Sequence, residues 1–412
     1  MLKRRLFYCA GWAALILGSC AKHVSDEGKP DLRSAKQTPI TISAAVRESM
    51  SGFSFAFFNA LQQTKQDQEN IFVSPLSLHM AMSMVANGAT GDTREEILNA
   101  LQAKDLSSEE LNKTNRTLLE QLPKADPEIS FGLANAVFYK NGFPVETTFL
   151  ETLAAYYKAQ VTGLPFQPSD LQLINKWASD HTNGKIPVVL NKLSPDLVML
   201  LMNALYLKGN WRAKFDKDKT TSETFTKADG TQMQVNMMHQ TDTVKYAPAA
   251  NFDAIQKPYG NGQFTMTILL PKTSAVADLF EQMDLQKWNA LQQSFRTITV
   301  NIGIPRFKLE QEFKLNETLQ AMGIRKAFTF DADFDALSKI PVYISFVKQN
   351  TFAAVDEEGT EAAAVTSIGI GVTSAPQIPQ FICNRPFGII ISENTSNSIL
   401  FMGRISQPIG LP

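Results

Sequence analysis

The sequence predicts an α+β protein built on large sheets. Helical periodicity fills its first third, apolar runs rich in β-branched residues fill the remainder, and no regular strand–helix–strand alternation links them. With 412 residues and 44% hydrophobic side chains, these runs can supply one sizeable core, and no linker interrupts them. The formal net charge is −1 and no basic stripe is present, which excludes nucleic acid as a partner.

The chain begins with basic Lys3 to Arg5, an apolar run from Leu6 to Leu17, and small Gly18 and Ser19 before Cys20, the three parts of an export leader over residues 1–19. Its loss removes three cations and takes the net charge from −1 to about −4. Leu17-Gly18-Ser19-Cys20 resembles a bacterial lipobox. That implies a diacylglycerol on the Cys20 thiol and attachment to the membrane through lipid alone, the protein residing in the cell envelope at the outer membrane, facing periplasm or cell surface. An ordinary cleaved signal and a transmembrane anchor are the alternatives, although the apolar run falls short of the roughly 18 residues a span needs. Residues 20–45 are polar and aperiodic, as expected of a flexible tether, so the folded body is expected over 46–412.

Within the body, Val46, Met50, Phe53, Phe57 and Leu61 recur at helical spacing, and Leu76 to Ala86 is apolar on nearly every side, as in a buried helix. Strands are predicted over Ala134 to Tyr139, Leu197 to Leu207, Phe264 to Leu270, Ile298 to Ile304, Ile344 to Val355, Phe387 to Ile391 and Ile399 to Met402. The unbroken apolar run Leu197 to Leu207 implies cover on both faces. Cys383, between apolar neighbours, reads as a small core residue, and His79 on the buried helix as a hydrogen-bonded core histidine. There is no HExxH, Gly-x-Ser-x-Gly, P-loop or CxxC pattern, so the sequence offers no enzyme's machinery.

The most informative stretch runs from Asp356 to Pro379. At period two it places Thr360, Ala362, Ala364, Thr366, Ile368, Ile370 and Val372 on one face, small first and aliphatic later, which is a half-buried strand pattern. Gly359, Gly369, Gly371, Pro376 and Pro379 are instead what an exposed loop requires. A segment able to be loop or strand is a switch if cleavage tips the balance; a fixed strand with a weakened end is the plainer alternative.

Glu357-Glu358-Gly359-Thr360-Glu361-Ala362-Ala363-Ala364 closely resembles the hinge of inhibitory serpins. The ordered set Asn70 to Ser77, Asn175 to Trp177, Thr182 to Ile186, Asn203 to Trp211, Pro305 to Phe307, Leu319 with Met322 to Ile324, Arg385 to Phe387, and Leu400 to Arg404 also resembles that family, across about residues 46 to 410. The resemblance implies a large central sheet with two further sheets, eight or nine helices and an exposed reactive-centre loop at about 357–379. It implies an inhibitor of serine-type proteases, with cysteine-type proteases as further targets, that acts as a suicide substrate. After cleavage the upstream arm enters the main sheet as a new strand, a mechanism for which serpins are the standard example. It also implies a monomer that needs no cofactor or metal.

By the family's spacing, the fifteen residues from Gly359 to Thr373 select Thr373-Ser374 as the bait bond, whereas counting back from Pro386 lands nearer Ala375, and Val372-Thr373 is the competing bond. No Lys or Arg occurs between Ser367 and Asn384, which disfavours trypsin-like targets and favours elastase-like or broad-specificity ones. Trp211 and the pair Glu357 and Arg306 match the family's breach, where insertion starts. Ser74, Ser77 and Asn203 match its shutter, in which Gln349 replaces the usual histidine. A non-inhibitory serpin serving as a surface carrier is the rival reading; Ala362 to Ala364 argue against it, since such a hinge would hold bulky or charged residues.

Overall fold

The computed structural model describes residues 37–65, 69–273, 275–360 and 378–410. The first contacts precede the first helix: Thr38 exchanges hydrogen bonds of 3.0 and 2.6 Å with the Gln263 amide, and buried Ile40 donates its N–H to Thr395 Oγ1 at 2.8 Å. Within the stretch expected to be tether through residue 45, Thr38 and Ile40 are therefore fastened to the body, Ile40 by burying its apolar side chain, while most of their neighbours stay exposed.

The described residues hold nine α-helices: α1 (Ala44–Gln62), α2 (Pro75–Gly88), α3 (Gly91–Ala100), α4 (Ser108–Gln121), α5 (Thr147–Tyr157), α6 (Asp170–His181), α7 (Val276–Glu281), α8 (Leu285–Ser294) and α9 (Asn316–Ala321). Fifteen strands accompany them: β1 (Ile71–Val73), β2 (Ile129–Lys140), β3 (Gln160–Leu164), β4 (Met199–Asn210), β5 (Thr221–Thr226), β6 (Gln232–Pro248), β7 (Phe252–Pro258), β8 (Phe264–Pro271), β9 (Arg296–Pro305), β10 (Phe307–Lys314), β11 (Lys348–Val355), β12 (Gly359–Thr360), β13 (Gln380–Ile382), β14 (Phe387–Glu393) and β15 (Ser398–Ile405).

Three sheets result. The largest runs β1-β15-β14-β8-β7-β6-β9-β13 with β5 beside β6; the second is β12-β4-β2-β3; the third is the pair β10-β11. Helix α2 starts where Ser74 accepts from Ser77 N–H and Pro75 occupies the first turn. It is buried along nearly its whole length because it packs against both β4 and β15. Strands β8, β14 and β15 are buried at every residue, in keeping with their continuous apolar sequences.

Two strand expectations change. The run from Ile344 is strand only from Lys348, since its partner β10 ends at Lys314, opposite Lys348. Strand β4 is not covered on both faces throughout: Leu201, Met202 and Asn203 are half-buried, because this part of the strand borders a cleft. Cys383 is fully buried, and burial pushes its thiol far above the ordinary value. His79 is buried too, but neither ring nitrogen has a hydrogen-bond partner among the described residues, contrary to the expected bonded histidine.

Candidate functional site

Strand β4 ends at Asn210, and the following turn, Trp211 to Phe215, grips residues 356–358 through their backbone. Trp211 N–H donates to Glu358 O at 2.7 Å, its indole N–H to Asp356 O at 2.9 Å, and Phe215 N–H to Glu357 O at 2.9 Å. The Asp356 carboxylate closes the bend by accepting from the N–H groups of Glu358 and Gly359 at 2.9 and 3.3 Å. Beyond the bend, Gly359 and Thr360 form β12, antiparallel to Asn210 and Gly209. Only glycine fits at 359, since a Cβ there would lie 2.1 Å from Gly209 O.

The side chains of Glu357, Glu358 and Thr360 each have a partner. Glu357 is buried, which by itself raises its pKa, but the hydrogen bonds from Arg306 and Thr220 prevail and hold the carboxyl below its ordinary value. Arg306 Nε lies 2.7 and 2.8 Å from the two carboxylate oxygens and Nη2 2.6 Å from one of them. Glu358 pairs with Lys214 at 2.7 Å and Lys217 at 3.3 Å. The Thr360 hydroxyl meets Tyr259 Oη at 2.9 Å, and the Tyr259 ring stacks on Trp211 with centroids 4.5 Å apart.

Beyond β12 the described residues leave a gap between β4 and β11. From Met199 to Lys208, β4 pairs with β2 on one side and with no described strand on the other, while β11 pairs only with β10. A cleft of about 360 Å³ separates them, with Leu201, Asn203 and Leu205 on one wall and Lys348, Gln349 and Thr351 on the other. Helix α6 and the loop after it close one side through Trp177, Ala178, Ile186 and Leu190.

The four shutter candidates all line this cleft but do not form one network. On one wall Asn203 Nδ2 donates to Asn135 Oδ1 at 2.7 Å, and Asn135 donates to Tyr157 O at 2.8 Å. On the other, Gln349 is bonded to the Ser74 backbone at both ends of its amide, Ser74 Oγ donates to Leu400 O, and Ser77 N–H donates to Ser74 Oγ. Asn203 Oδ1 and Trp177 Nε1 also line the cleft and have no partner among the described residues. Glu361 to Ala364, the bait residues Val372, Thr373 and Ser374, and Cys20 lie outside the described residues.

Residues 357–360 thus sit beside the cleft between β4 and β11. Residues 48–408 match the family model described as Serpin (serine protease inhibitor). The chain is a member of the serpin family. An uncharacterized serpin-like protein of Methanosarcina mazei is 30% identical, covering 99% of each chain, and human neuroserpin is 30% identical over 90% of this chain and 94% of its own. Tengpin, a thermophilic serpin, shares 33% identity. Its native state superposes with a TM-score of 0.82, covering 91% of this chain and 98% of tengpin, and its latent state with 0.78, covering 91% and 100%. This serpin thus superposes better on the native form.

Some residues that build this site escaped sequence reasoning. Tyr259, Lys214, Lys217 and Thr220 hold the hinge, yet each carries only the ordinary signal of a turn tyrosine or a surface polar residue. Lys257 escaped as well: in Phe252 to Pro258 it stands among Asp253 and Gln256, and only the structure shows it buried.

Proposed function

We propose that this serpin inhibits serine-type endopeptidases as a suicide substrate. Attack on the bait bond, Thr373-Ser374 by the family's spacing, forms an acyl-enzyme; the released arm then enters the cleft between β4 and β11, carrying the protease with it. The open cleft directly after Gly359 and Thr360 is the observation that carries this reading. An incoming strand supplies backbone partners to both walls, and Ile368, Ile370 and Val372 gain about 1.5 to 3 kcal/mol each on burial. The small side chains of Ala362 to Ala364 ease the leading end between the walls. The absence of Lys and Arg around the bait bond supports elastase-like or broad-specificity targets, with cysteine-type proteases next.

The test mixes the leaderless chain with elastase-like and trypsin-like proteases, runs denaturing gels and sequences the released peptide. A covalent complex with a new N-terminus at Ser374 or Thr373 supports trapping. Cleavage by every protease without a complex would overturn it in favour of a non-inhibitory binding role. We further propose acylation of Cys20 and anchorage at the outer membrane; release of Cys20→Ala into the soluble fraction, with loss of lipid labelling, is the expected result, and unchanged labelling would refute it.

A further inference from the structure

The turn that grips the hinge is itself held by one buried charge. Lys257 lies in β7 with its side chain fully buried. Its ammonium donates to Ala213 O, at the centre of the Trp211 to Phe215 turn, and to Gln240 Oε1 at 2.7 Å. Gln240 in turn donates to Lys214 O at 2.9 Å, so one ammonium fixes two successive carbonyls of the turn, one directly and one through an amide. The same nitrogen sits 5.6 Å from the Trp211 ring centre and 4.7 Å from that of Phe215, the residues at the two ends of the turn.

We infer that Lys257 is a positioning residue for the inhibitory reaction: it locks the Trp211 to Phe215 turn against the largest sheet and thereby keeps the hinge seated until the loop is cut. The inference rests on the trapping reading above. Its physical ground is the cost of burying an ammonium, which is offset only where the geometry uses all its donors. Here two hydrogen bonds go to the acceptors tied to the turn, and the Asp242 carboxylate, 3.6 Å away, adds an ion pair. The other charged groups around the turn are already engaged. Arg212 bonds to the carbonyls of Gly260 and Asn261, Lys214 and Lys217 pair with Glu358, Arg306 pairs with Glu357, and Asp356 accepts from the hinge backbone. Tyr259, stacked on the Trp211 ring, has its phenol pushed far above the ordinary range by burial.

Burial lowers the Lys257 pKa to about 8, against the opposing pull of Asp242; opening the turn to water would return the amine to its ordinary value of 10.5, so opening and proton uptake are coupled. The experiment follows amide exchange in the full-length chain at residues 211–215 and 356–360, expressed relative to β14 amides of the same molecule so that base catalysis cancels. Lys257→Met at pH 7 is expected to raise the relative exchange at both segments about tenfold and to leave β14 and β15 protected. Because opening the turn takes up a proton, the ratio in the parent chain is expected to fall between pH 7 and pH 9, a trend absent from the variant, and Trp211 emission to titrate with it. Unchanged ratios in a folded Lys257→Met would overturn the inference, as would a parent ratio that stays flat from pH 7 to pH 9, a measurement that stands even if the variant does not fold. If exchange behaves as expected but no protease forms a covalent complex, the trapping reading fails and the lock stands; covalent complexes with unmoved exchange mean the reverse.

Discussion

Gln349 holds Ser74 by both ends of one amide: Oε1 accepts from Ser74 N–H and Nε2 donates to Ser74 O, each at 2.9 Å. The pair joins β11 to the cap of α2 without a titratable group. Replacing Gln349 with His should introduce one, so the melting temperature of Gln349→His relative to the parent is expected to vary between about pH 6 and 8. Gln349→Ala strands the buried Ser74 N–H and should cost about 1 to 3 kcal/mol. A Gln349→His chain whose melting profile parallels the parent's at every pH would show that the bond is not part of the gate.

At the mouth of the cleft, Gly359→Ala forces a Cβ against Gly209 O, and Thr360→Arg brings a guanidinium into the buried contact with Tyr259. Both variants are expected to be cut at the bait bond at near-parental rate but to yield mostly cleaved, uncomplexed serpin. Quantifying complex against cleaved chain on denaturing gels checks this; parental complex yield from Thr360→Arg would refute hinge insertion.

Arg306→Met removes the main partner of buried Glu357 and should destabilise the uncleaved form by about 3 kcal/mol, read from denaturant midpoints. The same pair sets an acid limit. Since the folded-state pKa of Glu357 is depressed, its contribution is complete above the ordinary glutamate value of 4.5 and is lost as pH falls through the folded value. The parent should therefore lose an increment of stability below about pH 4.5 that Arg306→Met lacks.

His79 acts at a higher pH. Burial lowers its pKa from 6.5 to about 4, so the folded chain keeps the ring neutral while the unfolded chain takes up a proton. Stability is unaffected above pH 6.5 and falls progressively between pH 6.5 and 4, by about 3 kcal/mol at the limit. His79→Met should flatten that slope; an unchanged slope would place the acid sensitivity elsewhere.

Local pattern was enough for α1, α2 and most core strands, because the periodicity of Val46, Met50, Phe53, Phe57 and Leu61, or the unbroken run from Phe264, is decided by the residues themselves. Ile344 to Val347 resembled strand equally well but lacks a neighbour to bond with, and pairing is a property of two segments. The hinge stood out as a motif, with Glu357 and Arg306 matched from family likeness. The division of Ser74, Gln349 and Asn203 between two walls did not stand out, because it depends on which side of an opening each strand falls. Lys257 carried no signal in a segment that also holds Asp253 and Gln256, and its meaning required the turn at Ala213, 44 residues earlier in the chain.

The Asn175 amide spans α6 and its loop, accepting from the N–H groups of Val189 and Leu190 at 2.9 and 3.0 Å and donating to Leu190 O at 2.8 Å. A strand threading past α6 would have to part that clasp and let it close again behind. A contact broken only in passage weighs on neither the starting state nor the finished one; it sets the height of the barrier between them. Under the insertion proposed above, Asn175 would govern how quickly the sheet fills, and so the outcome of the race between capture and escape of a bound protease, while leaving the final fall in energy as it was.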